Sequence, residues 1–459
     1  MDLLLYDTYT REKRAFTPLQ KGKVGVYTCG PTVYDYPHIG NMRSYVFSDI
    51  LRRVLEYNKF DVTQVINITD VGHLTSDQDE GEDKMEVGAR KIGKSSWEVA
   101  KFFTEIFQRY LEMLNILPSH ILCRATDHIK EQIELINTLE VLGYTYKTSD
   151  GIYYNTSKFP EYGELARLDE KGLRPGARVA VSEEKKNPTD FALWKFSPGG
   201  IKRQMEWESP WGIGFPGWHI ECSAMAMRYL GETLDIHTGG TDHIPVHHTN
   251  EIAQSEAVTK KQFVQFWMHN AHLLVEGEKM SKSLGNIFTI DNLVERNTDP
   301  LSFRYLLLGA RYRTEMNFTW EALSGAQEAL FALRSRMQEW TGEGVVNEEA
   351  EEKFHMAIND DLNTPAALAV VWEVVHSSNI SEADKKATIL MFDQVFGLNL
   401  GKSQEREDAP QEIQDLVELR EQYRIAKEWQ KADQAREQIE KLGWDVQDAQ
   451  DGPRLTKKK

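Results

Sequence analysis

Residues 22–41 read GKVGVYTCGPTVYDYPHIGN and contain a strand-like run followed by a turn. The apolar run VGVYT, which begins at Val24, predicts a short β-strand, and the glycine and proline that follow turn the backbone. Cys29 therefore lies at the carboxyl end of the strand. Because ligands bind at that edge of an open α/β sheet, Cys29 is a candidate nucleophile or metal ligand as well as a candidate for core packing.

A helix and a second strand follow this turn. The segment SYVFSDILRRVLEY, residues 44–57, carries apolar residues three and four positions apart, which predicts an amphipathic helix. The segment VTQVINIT, residues 62–69, has the composition of a buried strand. A strand, a helix and a strand in this order form a βαβ unit, so the sequence predicts an α/β fold with a parallel sheet. A later strand, DIHTGG, ends on glycines at residues 239–240.

Between these strands the pattern changes. Helical spacing covers residues 97–117 and 127–142, and residues 151–195 then combine turn signals, β-type residues and many charges. We interpret this region as an inserted subdomain, after which the sheet resumes. From Trp320 onward the pattern is helical, and the polar linker GKSQEREDAP, residues 401–410, precedes a final helical unit.

Composition restricts the possible partners and compartment. A chain of 459 residues predicts several domains, and its formal net charge of −17 excludes broad, nonspecific nucleic-acid binding. Residues 420–459 have a modest local excess of positive charge, with ten Lys and Arg against eight Asp and Glu. The three cysteines form no disulfide framework, and neither a secretory signal nor an apolar run of membrane-spanning length is present. We therefore expect a cytoplasmic protein that does not enter a membrane.

Two motifs point to nucleotide chemistry. PHIGN, residues 37–41, precedes the predicted helix, where backbone N–H groups favour phosphate, although a capping histidine at a turn fits this pentapeptide equally well. EKMSKSLGN, residues 278–286, is a polar loop whose two lysines suit a developing pyrophosphate charge. That loop alone also fits a solvated surface segment. The two motifs in one chain favour nucleotide chemistry.

A set of metal-ligand residue types recurs along the chain. Cys29, Cys222, His247 and Glu251 offer the sulfur, nitrogen and oxygen donors that Zn²⁺ accepts. His247 and Glu251 are four residues apart and would share one helix face, and His248 fits on spacing as well. Two buried cysteines beside a polar helix are the structural alternative. Cys123 has no such neighbours in the sequence, and we assign it to the core.

Taken together, these motifs resemble the cysteinyl-tRNA synthetase family of class I aminoacyl-tRNA synthetases. The resemblance runs in order along essentially the whole chain, through YTCGPTVYDYPHIGN, NITDVGHL, NPTDFALWK, PGWHIECSAM, DIHTGGTD, HHTNEIAQSEA and EKMSKSLGN.

The resemblance implies an α/β, Rossmann-like catalytic domain split by an insertion, followed by an α-helical bundle and a small C-terminal anticodon-binding domain. The implied boundaries are 1–125 and 211–266 for the two halves of the catalytic domain, 126–210 for the insertion, 267–320 for a stem-contact region with the KMSKS loop, 321–400 for the bundle and 411–459 for the C-terminal domain.

The resemblance also assigns roles to single residues. It implies one zinc ion per subunit, bound by Cys29, Cys222, His247 and Glu251, which selects His247 over His248. The remaining roles are catalysis by His38, Asn41, Lys279 and Lys282, ATP binding by Gly40, Gly239, Gly240, Asp242 and Lys282, cysteine binding by Thr69, Trp218 and His237, and anticodon contacts from Arg424, Asp433, Arg436 and Asp448. Residues Arg420, Arg424, Lys427 and Lys431 are spaced as one helical stripe, which favours an RNA-facing surface.

Some positions depart from the family pattern. Asn41 stands where the HIGH motif ends in histidine, and an amide donates a hydrogen bond but carries no charge. Thr249 replaces a common glutamate next to the metal residues, and Arg454 and Leu455 replace a common threonine and tryptophan. Recognition of the third anticodon base is therefore open.

The expected activity is that of a cysteine–tRNA ligase. The substrates implied by the resemblance are L-cysteine, ATP with Mg²⁺, and tRNA(Cys), and we expect a monomer. The nearest rival is the related cysteine:glucosaminyl-inositol ligase of mycothiol synthesis, which lacks an anticodon domain. A noncatalytic, synthetase-like RNA-binding protein is the rival from another class. The basic C-terminal region argues against the first rival, and the intact zinc and KMSKS residues argue against the second.

Overall fold

A computed structural model describes residues 2–72, 83–168, 184–197, 203–281, 284–402, 410–449 and 452–457. For 447–449, 452 and 454–457 the description is limited to the backbone. The chain forms two compact units, residues 1–400 and residues 401–459.

The strands are numbered in chain order. They are β1 (Leu4–Asp7), β2 (Glu12–Ala15), β3 (Lys23–Thr28), β4 (Asp61–Ile68), β5 (Ile121–Arg124), β6 (Thr145–Lys147), β7 (Gly151–Tyr154), β8 (Phe191–Phe196), β9 (Gly214–Pro216), β10 (Leu234–Gly240), β11 (Val264–Asn270), β12 (Leu273–Val275), β13 (Glu278–Lys279), β14 (Met316–Phe318), β15 (Trp444–Ala449) and β16 (Gly452–Lys457).

The helices are numbered in the same way. They are α1 (Ile39–Tyr57), α2 (Lys84–Ile92), α3 (Ser96–Met113), α4 (Ile129–Val141), α5 (Trp218–Leu230), α6 (Thr249–Thr259), α7 (Ile290–Glu295), α8 (Pro300–Leu308), α9 (Trp320–Glu339), α10 (Glu348–Asn359), α11 (Thr364–His376), α12 (Glu382–Phe396), α13 (Gln411–Ile425) and α14 (Trp429–Lys441). Within the described residues, no helix is both long enough and apolar enough to cross a lipid bilayer.

The central sheet has five parallel strands in the order β11-β10-β3-β4-β5. Strand β3 lies in the middle, and Val26 pairs with Ile236 of β10 on one side and with Gln64 of β4 on the other. The last five residues of β4 are all buried, as expected for a strand covered on both faces. The predicted parallel α/β sheet is confirmed.

Helix α1 begins earlier than the apolar spacing predicts. His38 is its N-cap, and a capping box joins the His38 side chain to the backbone N–H of Asn41 and the Asn41 side chain to the backbone N–H of His38. Because this box satisfies N–H groups of the first turn, the helix starts at Ile39 instead of Ser44. Gly40 and Asn41 therefore belong to the first turn of the helix, so the prediction that all of PHIGN lies ahead of the helix is wrong. The prediction of a capping histidine at the helix N-terminus is confirmed.

The inserted region forms a separate antiparallel sheet with strand order β6-β7-β8-β9. Its last strand, β9, lies beyond residue 210, where the sequence prediction ends the insertion. Strand β9 leads directly into α5, so the insertion sheet ends next to the helix that carries Cys222.

A three-stranded sheet, β13-β12-β14, carries the start of EKMSKS. Strands β12 and β13 form a two-residue hairpin in which Val275 pairs with Glu278. Its loop residues, Glu276 and Gly277, have φ values of 50° and 82°, the positive angles of a type I′ turn. Helices α9 to α12 follow, and Phe354 stacks on Phe392 in their core with ring centroids 4.0 Å apart.

The C-terminal unit consists of the hairpin of α13 and α14 and the antiparallel pair β15-β16. The predicted basic stripe is wrong, because Arg420 is buried and α13 ends at Ile425. Lys427 lies in the connecting turn with a φ of 60°, and Lys431 lies on α14. The helical spacing predicted from the sequence is broken by that turn.

Candidate active site and metal centre

Four chain segments converge at the carboxyl edge of the central sheet. Cys29 follows β3, Cys222 lies on α5, His247 lies in the π-helical turn before α6, and Glu251 lies in the first turn of α6. Their ligand atoms all lie within 4.8 Å of one another, and all four residues are buried. The sequence-predicted donors therefore form one cluster whose geometry allows a single ion to be held.

The local backbone is not the plain α-helix expected from the spacing. Ile244–His248 form a π-helical turn, and α6 begins at Thr249. Across this junction the Nε2 atom of His247 lies 3.0 Å from the Oε1 atom of Glu251. Single π-turns inside helices are frequent at functional sites, and this one places His247 and His248 against the same carboxylate.

A second donor set overlaps the first. Cys29, His237, His248 and Glu251 also bring their ligand atoms within 4.8 Å of one another. The Nε2 atom of His248 lies 3.3 Å from the Sγ atom of Cys29, and that of His237 lies 2.9 Å from the Oε2 atom of Glu251. Geometry alone therefore allows either His247 or His248 to be a metal ligand. Of the two donor sets found in the described residues, the one with His247 also contains Cys222.

The electrostatics of the cluster fit a soft cation. Burial raises the pKa of Glu251, but His237 and His247 outweigh it and hold that pKa at about 2. Burial raises the pKa of the Cys29 thiol to about 11, so a nearby cation is needed to favour its thiolate. Two thiols, an imidazole and a carboxylate match the donors of Zn²⁺, so the residues present fit this metal.

The predicted cysteine-binding residues surround the cluster. The ring of Trp218 stacks on that of His247 with centroids 4.3 Å apart, and His237 contacts Glu251. Thr69 donates its backbone N–H to the carbonyl of Pro31 at 3.0 Å, two residues after Cys29. The fold therefore brings Thr69, Trp218 and His237 to the edge that holds the donor cluster.

The predicted ATP-binding residues lie at the same edge. The backbone N–H of Cys29 donates to the carbonyl of Thr238 at 3.2 Å, which places Gly239 and Gly240 beside Cys29. A Cβ at Gly239 would lie 2.7 Å from ring atoms of His243 and His248, so this position requires glycine. Burial lowers the pKa of His38, while the charge of Asp242 opposes that shift.

The chain directly after EKMSKSLGN packs against the start of α1. The backbone N–H of Ile39 donates to the carbonyl of Phe288 at 2.8 Å, and His38 forms a bridge with Thr289. Lys279 is exposed at the end of β13. Lys282 lies outside the described residues.

Some residues around the site give no signal in the sequence. His219 contacts His247 with 2.9 Å between their Nδ1 atoms, and His269 contacts His248 with 2.7 Å between its Nε2 atom and the Nδ1 atom of His248. Arg43, one turn into α1, donates to three backbone carbonyls. Spacing cannot reveal these contacts because their partners lie on distant segments. The capping role of Asn41, by contrast, was readable from its position three residues after His38.

Three predicted anticodon residues lie on the helices of the C-terminal unit. Arg424 lies in the last turn of α13, while Asp433 and Arg436 share one exposed face of α14. The Nε atom of Arg436 lies 3.3 Å from the Oε1 atom of Glu440. The backbone of Asp448 lies in β15, and its side chain is outside the described residues, as are those of Arg454 and Leu455.

Comparison with known proteins agrees with this architecture. Residues 15–328 match the family model for the tRNA synthetases class I (C) catalytic domain, and residues 353–400 match the DALR domain. Two solved structures share the fold. A methionyl-tRNA synthetase of Mycobacterium tuberculosis with methionyl-adenylate has a TM-score of 0.56 at 16% identity, covering 82% of this chain and 90% of the other. A leucyl-tRNA synthetase from Agrobacterium radiobacter has a TM-score of 0.57 at 12% identity, covering 84% and 85%.

Curated relatives match over nearly their whole lengths. A cysteine–tRNA ligase 1 of Burkholderia lata is 52% identical over 99% of this chain and 97% of its own. Cysteine–tRNA ligases of Treponema denticola and of Thermus thermophilus are each 42% identical, the first over 98% of both chains and the second over 99% of both. The chain therefore belongs to the cysteine–tRNA ligases, a family of class I tRNA synthetases.

Proposed function

We propose that this enzyme activates L-cysteine with ATP and Mg²⁺ and transfers the cysteinyl group to the 3′ end of tRNA(Cys). The observation that carries this proposal is the convergence of Cys29, Cys222, His247 and Glu251 at the sheet edge that also holds PHIGN and GGTD. We further propose that the enzyme acts as a cytoplasmic monomer with the domain boundaries given above, except that the insertion extends through β9.

Substrate selection rests on the buried donor cluster. Zinc bound by Cys29, Cys222, His247 and Glu251 would favour the deprotonated thiol of cysteine, whereas the hydroxyl of serine stays protonated and is a poor ligand. A purely apolar pocket would separate cysteine from the near-isosteric serine only weakly and would need a separate editing site. Discrimination by the metal at the binding step removes that need. Trp218, stacked on His247, and Thr69 would orient the amino acid beside the cluster.

Adenylate formation rests on positioning and charge. The N-terminus of α1, capped by His38, would accept the phosphates of ATP, and the Asp242 carboxylate would accept hydrogen bonds from the ribose hydroxyls. Lys279 and Lys282 would stabilise the leaving pyrophosphate. Reaction requires the cysteine carboxylate to lie in line with the α-phosphate, and no covalent link to the protein is needed.

Metal content and amino-acid selectivity test this proposal together. The purified enzyme should contain about one zinc per chain, and Cys222→Ala should lose most of it because each ligand is integral to such a site. Cys123→Ala is the matched control, since Cys123 is a buried thiol outside both donor sets, and it should keep the metal.

Cysteine-dependent pyrophosphate exchange by the unmodified enzyme should greatly exceed serine-dependent exchange. Full zinc occupancy in Cys222→Ala would remove that residue from the proposed ligands. An unmodified enzyme that joins cysteine to an amino-sugar but does not charge tRNA would favour the mycothiol-pathway relative instead.

A further inference from the structure

Gly40 of the HIGN turn and Met280 of the KMSKS segment occupy adjoining space. A Cβ built on Gly40 would overlap the Cε atom of Met280, so the methionine methyl group occupies the space beside the glycine. Met280 is half-buried and packs against the main hydrophobic core. The side chain between the two lysines of KMSKS therefore points inward, while Lys279 is exposed.

The two sides of this contact are fixed independently. Arg43 on α1 donates at 2.6 Å to the carbonyl of His272, just before β12, and at 2.5 Å to the carbonyl of Thr314, just before β14. Burial lowers the pKa of Arg43 to about 10, and the guanidinium still ties α1 to the sheet that carries the loop. The base of the loop is thus held against α1 without Met280.

Hydrogen bonds within the loop also stabilise the segment that contains Met280. The backbone N–H of Ser281 donates to the Oδ1 atom of Asn286 at 2.8 Å, and the Nδ2 atom of Asn286 donates to the carbonyl of Lys279 at 3.2 Å. Because Asn286 holds the residues on both sides of Met280, a shift of Met280 would move the Lys279 backbone with it.

We propose that Met280 is a positioning residue, whose contact with Gly40 sets the distance between Lys279 and helix α1 during adenylate formation. This inference rests on the proposed function. A side chain at position 40 would displace the Met280 methyl group, so the glycine permits this close approach of the methionine to the helix backbone.

Steady-state pyrophosphate exchange and limited trypsin digestion test the role of Met280. Met280→Ala should lower kcat about 10–100-fold with little change in KM for ATP, because a misplaced charge costs rate in that range. Trypsin should cut after Lys279 faster in Met280→Ala than in the unmodified enzyme, without any substrate present. Met280→Leu should behave like the unmodified enzyme, and Met113→Ala, which removes another half-buried methionine from the same core, is the control.

A double substitution isolates the contact itself. Gly40→Ala should lower kcat about 100-fold, and Gly40→Ala combined with Met280→Ala should recover at least tenfold, because the added methyl group enters the vacated space. A Cβ at Gly40 would also lie 3.0 Å from the Nδ1 atom of His38, so recovery should be incomplete.

The proposal is overturned by a double variant no better than Gly40→Ala, or by a Met280→Ala variant with lower KM for ATP and unchanged kcat. The latter result would mean that Met280 competes with the nucleotide. The trypsin comparison needs no catalysis, so it can fail or succeed independently of the proposed function.

Discussion

Replacement of Asp49 should destabilise the unit of residues 1–400 more than any single exposed charge change. Asp49 lies on α1, and its Oδ2 atom accepts from the Nε atom of Arg53 at 2.7 Å and from the Nη2 atom of Arg304 at 2.5 Å. Its Oδ1 atom accepts from the backbone N–H of Leu117 at 2.8 Å. All three charged side chains are nearly or fully buried, so Asp49→Ala leaves two guanidinium groups without this carboxylate.

The size of the effect follows from that burial. Removal of one partner from a buried ion pair costs about 3–5 kcal/mol of unfolding free energy, whereas exposed pairs contribute about 0–1 kcal/mol. Asp49→Asn should fall in the same range because an amide cannot balance the guanidinium charges. Glu105→Gln is the matched control, since Glu105 pairs with Lys101 across one helical turn and both side chains are exposed.

Urea unfolding followed by tryptophan fluorescence measures these differences, with the midpoint converted through the m-value of the unmodified enzyme. Burial raises the pKa of Asp49, but Arg304 and Arg53 outweigh it and hold that pKa below its usual value. The stabilisation is therefore present above the unfolded-state pKa of about 4 and is lost as the pH falls through the folded-state value. The reasoning would be refuted if Asp49→Ala and Asp49→Asn each lost less than about 1 kcal/mol of unfolding free energy at pH 7. It would also be refuted if the stability difference between the unmodified enzyme and Asp49→Asn did not shrink in acid.

Further predictions concern single residues elsewhere. Lys282→Ala should slow cysteine-dependent pyrophosphate exchange about 100-fold, because a positioned cation acts on the transition state, and should affect transfer from preformed adenylate much less; equal damage to both steps would contradict the assignment. Arg436→Ala should leave pyrophosphate exchange nearly intact and reduce charging of tRNA(Cys), since arginine can read a base edge with two hydrogen bonds; unchanged charging would remove Arg436 from recognition. Gly30→Ala should yield little folded enzyme, because an added Cβ would overlap the carbonyl of Asn67; a normal yield and urea midpoint would count against that contact.

The sequence predicted most of the catalytic fold because its signals are local. The run VGVYT, the apolar spacing after Ser44 and the glycines that end DIHTGG each predict an element that the structure contains. Each of these signals is contained within a few neighbouring residues. The four proposed metal donors are spread along the chain, and they were identified by residue type together with the family resemblance.

The errors arose where distant or capping contacts decide the backbone. The start of α1 depends on a side-chain box between His38 and Asn41, and apolar spacing carries no information about it. The basic stripe failed because Lys427 adopts a positive φ that ends the helical register. Arg43 and Arg304 were missed because most of their acceptors are backbone carbonyls on remote segments, and any residue supplies a carbonyl.

The central place of β3 has a consequence for synthesis on the ribosome. Strand β3 ends at Thr28, and its neighbour β10 begins only at Leu234. About 200 further residues must therefore be translated before β10 can pair with the second edge of β3. At roughly 5–20 residues per second, the wait is about 10–40 s. During that time the nascent chain has an unpaired strand edge beside the buried residues Val24 and Val26, which is a template for pairing with another chain. A nascent chain halted before residue 234 should therefore aggregate unless a chaperone covers that edge, and no amount of zinc can rescue it, because two of the four proposed ligands have not yet been made.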